Sequence, residues 1–357
     1  MEGGGEAEAE AEAEAQTLVE AALEVLNTND PFEKARLGEV AAARWLQGDI
    51  SVPYRDDGPP PLVPDRPARL SSVMCTRTLL DFCVKKVKKK GKLTVLCSLA
   101  GEAGDIIARF GRQEGMPREF FTDFVRVAQD EGRHFTLLAA RLEEVGSHYG
   151  ALPAHDGLWD SALQTSKSLL ARLAVEHCVH EVGDSFFYGL NCLPGLMKRA
   201  AKTARGLDVL PTTISRFRNG GDEQTANLLE TVVYPEEITH CAAGVKWFRY
   251  LCLRTPNEHD GAALIHDSTG SAQSLEGVSI PNQHEVDHGG DADLTQDLAQ
   301  NFKTTVALCH GEQEMVIQHF HATVREYFRG PLKPPFNVQA RKAAGFGPEW
   351  YEPLAQK

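Results

Sequence analysis

Two pairs of side chains, each in the order Glu-x-x-His, have the residue types and the spacing to bind metal ions. The first pair is Glu131 and His134, and the second is Glu237 and His240. Residues three apart lie on one side of a helix, so each pair would present a carboxylate oxygen and an imidazole nitrogen in the same direction. Two such pairs on facing helices are what a di-iron or di-manganese carboxylate bundle requires.

Both pairs lie on stripes of apolar residues with helical spacing. The first stripe comprises Phe120, Phe124, Val127, Glu131, His134, Leu138, Leu142 and Val145, and the second comprises Val233, Glu237, His240, Gly244, Trp247 and Leu251. The carboxylates and imidazoles are therefore predicted to face a core, where an uncompensated charge is costly. One Glu-x-x-His is weak evidence, because a surface ion pair or a capped core histidine explains most matches, whereas two on apolar stripes are more specific.

A bundle of this kind also needs single glutamates from two further helices. Glu181 continues a helical stripe and is predicted to be the single ligand between the two pairs. Glu176 lies on another side of that helix and is predicted to be exposed. The predicted first helix offers only Glu102 and Asp105, which are weak candidates.

Three charged residues next to the pairs are candidates for supporting roles. Asp130 and Glu236 each precede a ligand glutamate and are predicted either to face solvent or to contact the ligands from outside. Arg133 is expected to face outward or to pair with a glutamate on a neighbouring helix. In the alternative interpretation, both pairs are buried hydrogen-bonded networks of a non-catalytic helical scaffold.

The elements that must position these residues are predicted to be helices, so the fold class is all-α. A helix from Met116 to Gly146 would carry the first pair, one from Leu158 onwards would carry Glu181, and one from Asp222 to Arg254 would carry the second pair. Pro235 inside the last of these is expected to kink or bulge it beside the site. The predicted architecture is a ferritin-like four-helix bundle with extra N-terminal helices and a C-terminal helix plus extended tail.

Composition divides the chain into five segments. They are an acidic disordered tail (1–16), N-terminal helices with a Pro-rich strap (17–70), the bundle (71–254) with an insertion at 182–203, a flexible loop (255–293), and the C-terminal helix and tail (294–357). Asp30 and Pro31 predict the start of one N-terminal helix and Gly48 its end. Trp350 and Tyr351 are expected to fix the tail to the core.

The overall composition limits the function classes. The chain has 357 residues, 42% of them hydrophobic, and a net charge of -13, which argues against non-specific binding to nucleic acid or anionic membranes. No apolar run is long enough to span a bilayer, and residues 1–16 resemble no targeting signal, so a cytoplasmic location is expected, with the nucleus as the alternative. The lysine-rich stretch 85–92 is interpreted as a solvated basic face or as a nuclear-import or RNA-contact patch.

Six motifs between residues 104 and 355 together resemble a known family. They are Met116-Pro-Arg-Glu-Phe-Phe121, Asp130-Glu-Gly-Arg-His134-Phe135, Leu152-Pro-Ala-His-Asp-Gly-Leu-Trp159, Ala204-Arg-Gly-Leu-Asp208, Glu237-Ile-Thr-His240 and Arg329-Gly-Pro-Leu-Lys-Pro-Pro-Phe-Asn337. The sequence resembles the ferritin-like proteins of domain-of-unknown-function family 455, in a plant-like or algal-like version. The resemblance implies a dinuclear iron site, with manganese as the alternative, held by Glu131, His134, Glu181, Glu237 and His240.

The sequence departs from the family pattern at two places. A family His-Ile-Glu falls on Thr94 and Leu96, so the ligand from the first helix is missing, and Glu102 lies about 120° away round the helix. The family also runs from His-Glu straight into Ala-Arg-Gly-Leu-Asp, whereas residues 182–203 separate Glu181 from Ala204 here. We hypothesise that both departures reflect a splice variant or a gene-model error, which would leave this version inactive.

These observations predict a dinuclear metal carboxylate protein that acts as an O₂-dependent oxidoreductase or hydroxylase of unknown substrate. A non-catalytic scaffold and a metal-binding or storage protein are the alternatives. The chain is also similar, at superfamily level, to a tRNA hydroxylase that oxidises an isopentenyl-adenosine side chain. The substrate is therefore expected to be a small molecule or tRNA-like, with no membrane partner and with a homodimer as one option for assembly.

Overall fold

The structure is a computed structural model that describes residues 16–56, 61–65, 97–149, 157–181, 206–254, 311–328 and 332–355. Within these ranges every regular element is helical and no strand occurs, so the predicted all-α class is confirmed. No helix in the described ranges combines the length and apolar character needed to cross a membrane. Thr94, Leu96, the insertion 182–203 and the loop 255–293 lie outside the described residues, as does the side chain of Glu102.

The helices are numbered here in chain order. They are α1 (Leu18–Asn27), α2 (Pro31–Gln47), α3 (Cys97–Phe110), α4 (Arg118–Glu144), α5 (Gly157–Gln164), α6 (Leu169–Ala174), α7 (Gly206–Asn219), α8 (Glu223–Leu228), α9 (Tyr234–Leu253), α10 (311–327), α11 (Val338–Ala343) and α12 (Pro348–Ala355). A π-helical segment, Val175–His180, continues α6, and a second, Leu229–Val233, joins α8 to α9.

The main core lies between α3, α4, α6 with its π-helical continuation, and α9. Ile106, Phe120, Phe124, Leu173 and Phe248 come from these four helices and are fully buried in one apolar cluster. Burial of such large side chains contributes about 1.5–3 kcal/mol each. The apolar stripes predicted for α4 and α9 therefore face each other across the core.

Helices α1 and α2 pack on the outside of α3 and α4. Asp30 caps α2 by accepting a hydrogen bond from the backbone N–H of Glu33 at 2.8 Å, and Gly48 ends it with φ 92°, as the sequence predicts. Trp45 is buried, and its indole Nε1 donates to Thr122 Oγ1 of α4 at 3.0 Å. These contacts join α2 to the helix that carries the first Glu/His pair.

The prediction of one continuous third helix is wrong. Helix α5 ends at Gln164, and α6 begins afresh at Leu169 with Ser168 as its cap, whose Oγ accepts from the backbone N–H of Ala171 at 3.1 Å. The hydroxyl of Ser166 donates to the carbonyl of Leu163 at 2.7 Å. Side-chain hydroxyls that bond the local backbone compete with helix hydrogen bonds, which explains the break.

The predicted distortion beside Pro235 is confirmed. The π-helical segment Leu229–Val233 ends directly before α9, in whose first turn Pro235 lies. Proline has no N–H to bond the carbonyl one turn earlier, so the backbone there widens instead of continuing as a regular α-helix. Helix α4 starts at Arg118, two residues after the predicted start at Met116, because Pro117 is its N-cap.

The C-terminal tail is held in the core, as predicted for Trp350 and Tyr351, which are both buried. The guanidinium of Arg341 donates to both carboxylate oxygens of Asp208 on α7, at 2.9 and 2.6 Å. The Asn337 amide donates to Tyr234 Oη at 2.7 Å. The tail therefore ties the start of α7 to the start of α9, close to the second Glu/His pair.

Candidate metal centre

Five buried side chains meet between α4, α9 and the end of the π-helical segment after α6. Glu131, His134 and Glu237 form one group, and Glu181, Glu237 and His240 form another, with potential ligand atoms of each group within 4.8 Å of one another. None of these side chains is more than 5% exposed. The structure thus brings all five sequence-predicted ligands together, and Glu237 belongs to both groups.

The inward atoms of Glu131, His134 and His240 lie close to carboxylate or imidazole atoms without forming hydrogen bonds. Nδ1 of His240 lies 3.1 Å from Oε1 of Glu131, and Nδ1 of His134 lies 3.8 Å from Oε2 of Glu131 and 3.9 Å from Oε1 of Glu237. Both Nδ1 atoms and both oxygens of Glu131 lack a hydrogen-bond partner. A buried polar atom without a hydrogen bond lowers the free energy of unfolding by about 1–3 kcal/mol. Cations among these atoms would satisfy them, so the residues fit a metal site.

The opposite nitrogen of each imidazole is held by a carboxylate of the other pair's helix. Nε2 of His134 lies 2.6 Å from Oε2 of Glu236, and Nε2 of His240 lies 3.3 Å from Oδ2 of Asp130. In the neutral imidazole, donation from Nε2 to a carboxylate leaves the proton off Nδ1, which is the tautomer that binds a metal. Asp130 and Glu236 therefore contact the imidazoles from outside the site, which is one of the two predicted arrangements.

Arg133 joins these two outer carboxylates. One of its terminal nitrogens, Nη2, lies 2.6 Å from Oδ1 of Asp130 and 2.7 Å from Oε2 of Glu236. The predicted pairing with a glutamate of a neighbouring helix is thus present. The Arg133 side chain is 45% exposed, so it forms the outer rim of the site while the ligands lie inside.

The buried charges perturb one another strongly. Burial opposes ionisation of Glu131, but its interaction with the nearby imidazoles of His134 and His240 outweighs this effect and lowers the Glu131 pKa to about 2. Burial likewise opposes charging of His134, yet Glu131 raises its pKa to about 9. Burial, then repulsion from a neighbouring carboxylate, raises the pKa of Glu181 and of Glu237. Three carboxylates in one buried site require positive charge from protons or metal ions.

Comparison with known protein families shows to which family this chain belongs. The sequence model described as "Protein of unknown function (DUF455)" matches residues 27–203, 196–267 and 303–352, which together cover more than half of the chain. The chain belongs to the DUF455 family. The match includes every member of both ligand groups.

A curated relative of this DUF455 chain is an uncharacterized protein of Haemophilus influenzae (strain ATCC 51907 / DSM 11121 / KW20 / Rd). The two are 30% identical over 151 residues, which are 41% of this chain and 44% of the relative. The chain therefore spans less than half of the length of this relative. No solved structure matches the DUF455 chain.

Glu176 is a buried acid of this DUF455 chain that the sequence did not predict. It was expected to be exposed, but it is only 1% exposed, and its Oε2 lies 2.8 Å from Nδ1 of His180. The reason is that every residue from 171 to 181 is buried, so this helix has no exposed side on which Glu176 could lie. The spacing of four between Glu176 and His180 was the signal that could have revealed the pair.

His177 lies between this pair and the ligands. Both of its ring nitrogens lack a hydrogen bond, and burial lowers its pKa to about 3, so the ring is neutral. Its ring packs edge-on against Phe124, with the centroids 4.8 Å apart. A Cβ added at Gly244 would overlap the carbonyl of His177, so glycine there allows α9 to approach the π-helical segment closely.

The weak candidate Asp105 lies outside both ligand groups. Its carboxylate accepts hydrogen bonds from Arg172, and from Arg109 at 2.7 Å. Arg172 is itself buried and also donates to Thr165 Oγ1 at 2.9 Å. Asp105 is thus part of an ion-pair network between α3 and α6, and this network neutralises its charge within the core.

Proposed function

We propose that this DUF455 protein is a ferritin-like dinuclear metal protein that uses iron, or alternatively manganese, in an O₂-dependent oxidation. One observation carries the proposal. Two groups of three buried ligands share Glu237, and the inward atoms of Glu131, His134 and His240 have no hydrogen bond. Mixed carboxylate and imidazole ligands suit iron and manganese, and no cysteine belongs to either group among the described residues.

Each ligand has a distinct position in the proposed site. Glu131 and His134 would hold one ion and His240 with Glu181 the other, while Glu237 belongs to both groups and would be available to either ion. A pair of such ions, when bound, supplies the electrons that reduce O₂ and the oxidising power that acts on a substrate. The carboxylates balance the charge of the ions, and the surrounding apolar core excludes water.

A metal-binding protein without oxidase activity is the second candidate. Its support is that α3 contributes no member to either ligand group within the described residues, and that its buried acid Asp105 is already bound to Arg109 and Arg172. A site with ligands from three helices rather than four would bind metal with fewer carboxylates. Measured O₂ consumption by the iron-loaded protein distinguishes the two candidates.

The direct test is metal content, measured by mass spectrometry on full-length protein expressed in medium supplemented with iron and manganese. We expect about two ions per chain. The double variant Glu237→Ala, His240→Ala should lose them, whereas Glu143→Ala, an exposed carboxylate on α4, should not. Chelation should lower the melting temperature of the wild type and of Glu143→Ala, but not that of the double variant. If the wild type contained no metal and its melting temperature did not change with chelator, the proposal would be contradicted and a helical scaffold would be favoured.

A further inference from the structure

Trp247 and Tyr250 form an aromatic pair in the second half of α9. Their ring centroids are 5.2 Å apart and their planes are inclined by 72°. Trp247 is 3% exposed and lies in the core, whereas Tyr250 is 39% exposed. The pair therefore leads from the interior of the protein to its surface through the two most readily oxidised types of aromatic side chain.

The buried end of this pair is close to the candidate metal centre. Trp247 follows His240 by seven residues, which is about 10 Å along a helix and close to two full turns, so the two side chains project from the same side of α9. Phe120 packs edge-on against Trp247 at 5.4 Å, and Phe124 packs against both Phe120 and His177, at 4.9 and 4.8 Å. Packed aromatic rings thus fill the core around the route from Trp247 to the site.

The surroundings of Trp247 favour loss of an electron from its ring. The indole Nε1 donates to Oδ2 of Asp123 at 2.9 Å, and a carboxylate in this position stabilises positive charge on the indole or accepts its proton. Lys246 opposes this effect, because its Nζ lies 4.5 Å from the ring centroid. The Lys246 side chain, however, is 53% exposed to screening water and its charge is paired with the same Asp123 oxygen at 2.6 Å.

The burial of the ligands creates the need for such a route. Since none of the five candidate ligands is more than 5% exposed, a soluble reductant cannot touch them. An O₂-dependent metal centre must nevertheless regain electrons after each oxidation. Oxidisable side chains between the surface and the site would meet this requirement.

We propose that Trp247 and Tyr250 relay single electrons from a soluble donor to the metal centre. This inference rests on the proposed function. Trp247 gives one electron to the centre while O₂ oxidises it, and Tyr250 reduces the resulting indole radical cation while its phenolic proton passes to water. A hydrogen-atom donor of the ascorbate or thiol class then restores the phenol. Overall, the donor loses one electron, which reaches the centre, and one proton, which reaches water.

The first experiment needs no metal. Full-length metal-free protein is oxidised by a laser-excited ruthenium polypyridyl complex with persulfate as the electron acceptor, and the radicals are followed by transient absorption. We expect a tryptophan radical whose decay matches the growth of a tyrosyl radical. Tyr250→Phe should abolish the growth of the tyrosyl radical, and Trp247→Phe should abolish the decay of the tryptophan radical that matches it. Trp350→Phe is the control, because Trp350 is also buried, and it should change neither signal. Unchanged transfer in Tyr250→Phe would overturn the relay.

The second experiment adds O₂ to the ferrous-loaded protein in the presence of ascorbate and measures the rate of ascorbate oxidation. Trp247→Phe and Tyr250→Phe should slow this oxidation about tenfold or more at unchanged iron content, whereas Trp350→Phe should not. Equal rates in all variants would overturn the inference. Tyr250→Phe removes one hydroxyl from a partly exposed side chain, so it tests the relay even if the Trp247 variant folds poorly. A wild type that takes up no iron would instead overturn the proposed function.

Discussion

Nε2 of His134 on α4 lies 2.6 Å from Oε2 of Glu236 on α9, so the acid that precedes one ligand pair holds the imidazole of the other. The reverse contact, from Asp130 to His240, is longer at 3.3 Å. Each helix therefore supplies both an inward ligand set and an outward support for its neighbour. This crossed arrangement links the orientation of both imidazoles to the packing of α4 against α9.

Replacing Glu236 should weaken metal binding without removing a ligand. Glu236→Gln removes the charge that holds Nε2–H of His134, and loss of such support typically costs about 10–100-fold in metal affinity. Asp130→Asn should have the smaller effect because its contact is longer. Titration of the metal-free proteins with Mn²⁺, followed by calorimetry, measures both changes. Glu143→Gln is the control, and equal affinities in all four proteins would contradict the crossed support.

Replacing Arg133 should weaken binding less than replacing the acids it joins. Its Nη2 contacts Asp130 and Glu236, but it is the most exposed member of the network. Arg133→Gln frees two carboxylates to turn away from the imidazoles, and we expect about a threefold to tenfold loss of Mn²⁺ affinity, which is less than the loss of about 10–100-fold that is typical of a direct contact to a ligand. Arg133→Lys keeps the charge and should recover part of it. If Arg133→Gln bound Mn²⁺ as tightly as the wild type, Arg133 would have no role in supporting the ligands.

The sequence predicts well which of these side chains point inward, because helical periodicity alone determines their direction. Glu131 with His134, and Glu237 with His240, lie on apolar stripes whose spacing can be read without any knowledge of neighbouring helices. The all-α class follows from the same periodicity. The outer contacts depend on how far α4 and α9 are shifted along each other, so the sequence left Asp130 and Glu236 with two alternatives.

The sequence fails where a helix is enclosed on all sides. Glu176 was predicted to be exposed because it lies off the apolar stripe, but every residue from 171 to 181 is buried, so the helix has no exposed side. Which elements surround a helix is a tertiary property that its local pattern does not contain. The close approach of α9 at Gly244 is a tertiary contact that periodicity does not contain. By contrast, Pro235 signalled the second π-helical segment, because a missing N–H is a local property.

The metal-free protein should lose stability as the pH rises from neutral to alkaline values. The His134 pKa is raised from 6.5 to about 9, so its contribution to stability is complete below pH 6.5 and is lost as the pH rises through 9. At about 1.4 kcal/mol per pKa unit, this loss is on the order of 3 kcal/mol. The contribution of Glu131, whose pKa is lowered to about 2, is lost only in strong acid.

Urea unfolding of chelator-treated protein at several pH values measures this loss. His134→Gln should flatten the decline above neutral pH, whereas His148→Gln, at an exposed position, should leave it unchanged. Metal-loaded protein should show the opposite slope, because ions bind deprotonated ligands and acid competes with them. Parallel slopes with and without metal would argue against ions at these residues.

Adding one methyl group at Gly244 should destabilise the protein. A Cβ there would overlap the carbonyl oxygen and carbon of His177, so α9 would have to move away from the π-helical segment that leads to Glu181. We expect Gly244→Ala to cost about 1–3 kcal/mol of unfolding free energy, measured by urea denaturation. Gly38→Ala is the matched control, because a Cβ at this helical position meets open space and should stabilise by about 0.5–1 kcal/mol. A neutral Gly244→Ala would contradict the close approach.

Removing residues 182–203 should leave a folded protein that still binds metal. Glu181 and Gly206 are in contact, since a Cβ at Gly206 would overlap the Glu181 carbonyl and would lie 3.5 Å from its Cα. In the shortened chain Gly206 would follow Glu181 by three residues, which is the spacing of neighbours on one helix face.

A connection of two residues instead of twenty-four lowers the cost of closing the loop by on the order of 2 kcal/mol. We therefore expect the shortened protein to melt no lower than the full chain and to contain the same amount of iron, by circular dichroism and mass spectrometry. A chain in which a Gly/Ser segment of equal length replaces 182–203 separates the effect of loop length from that of its sequence. If both variants were unfolded while the full chain was stable, residues 182–203 would be part of the fold rather than an insertion between α6 and α7.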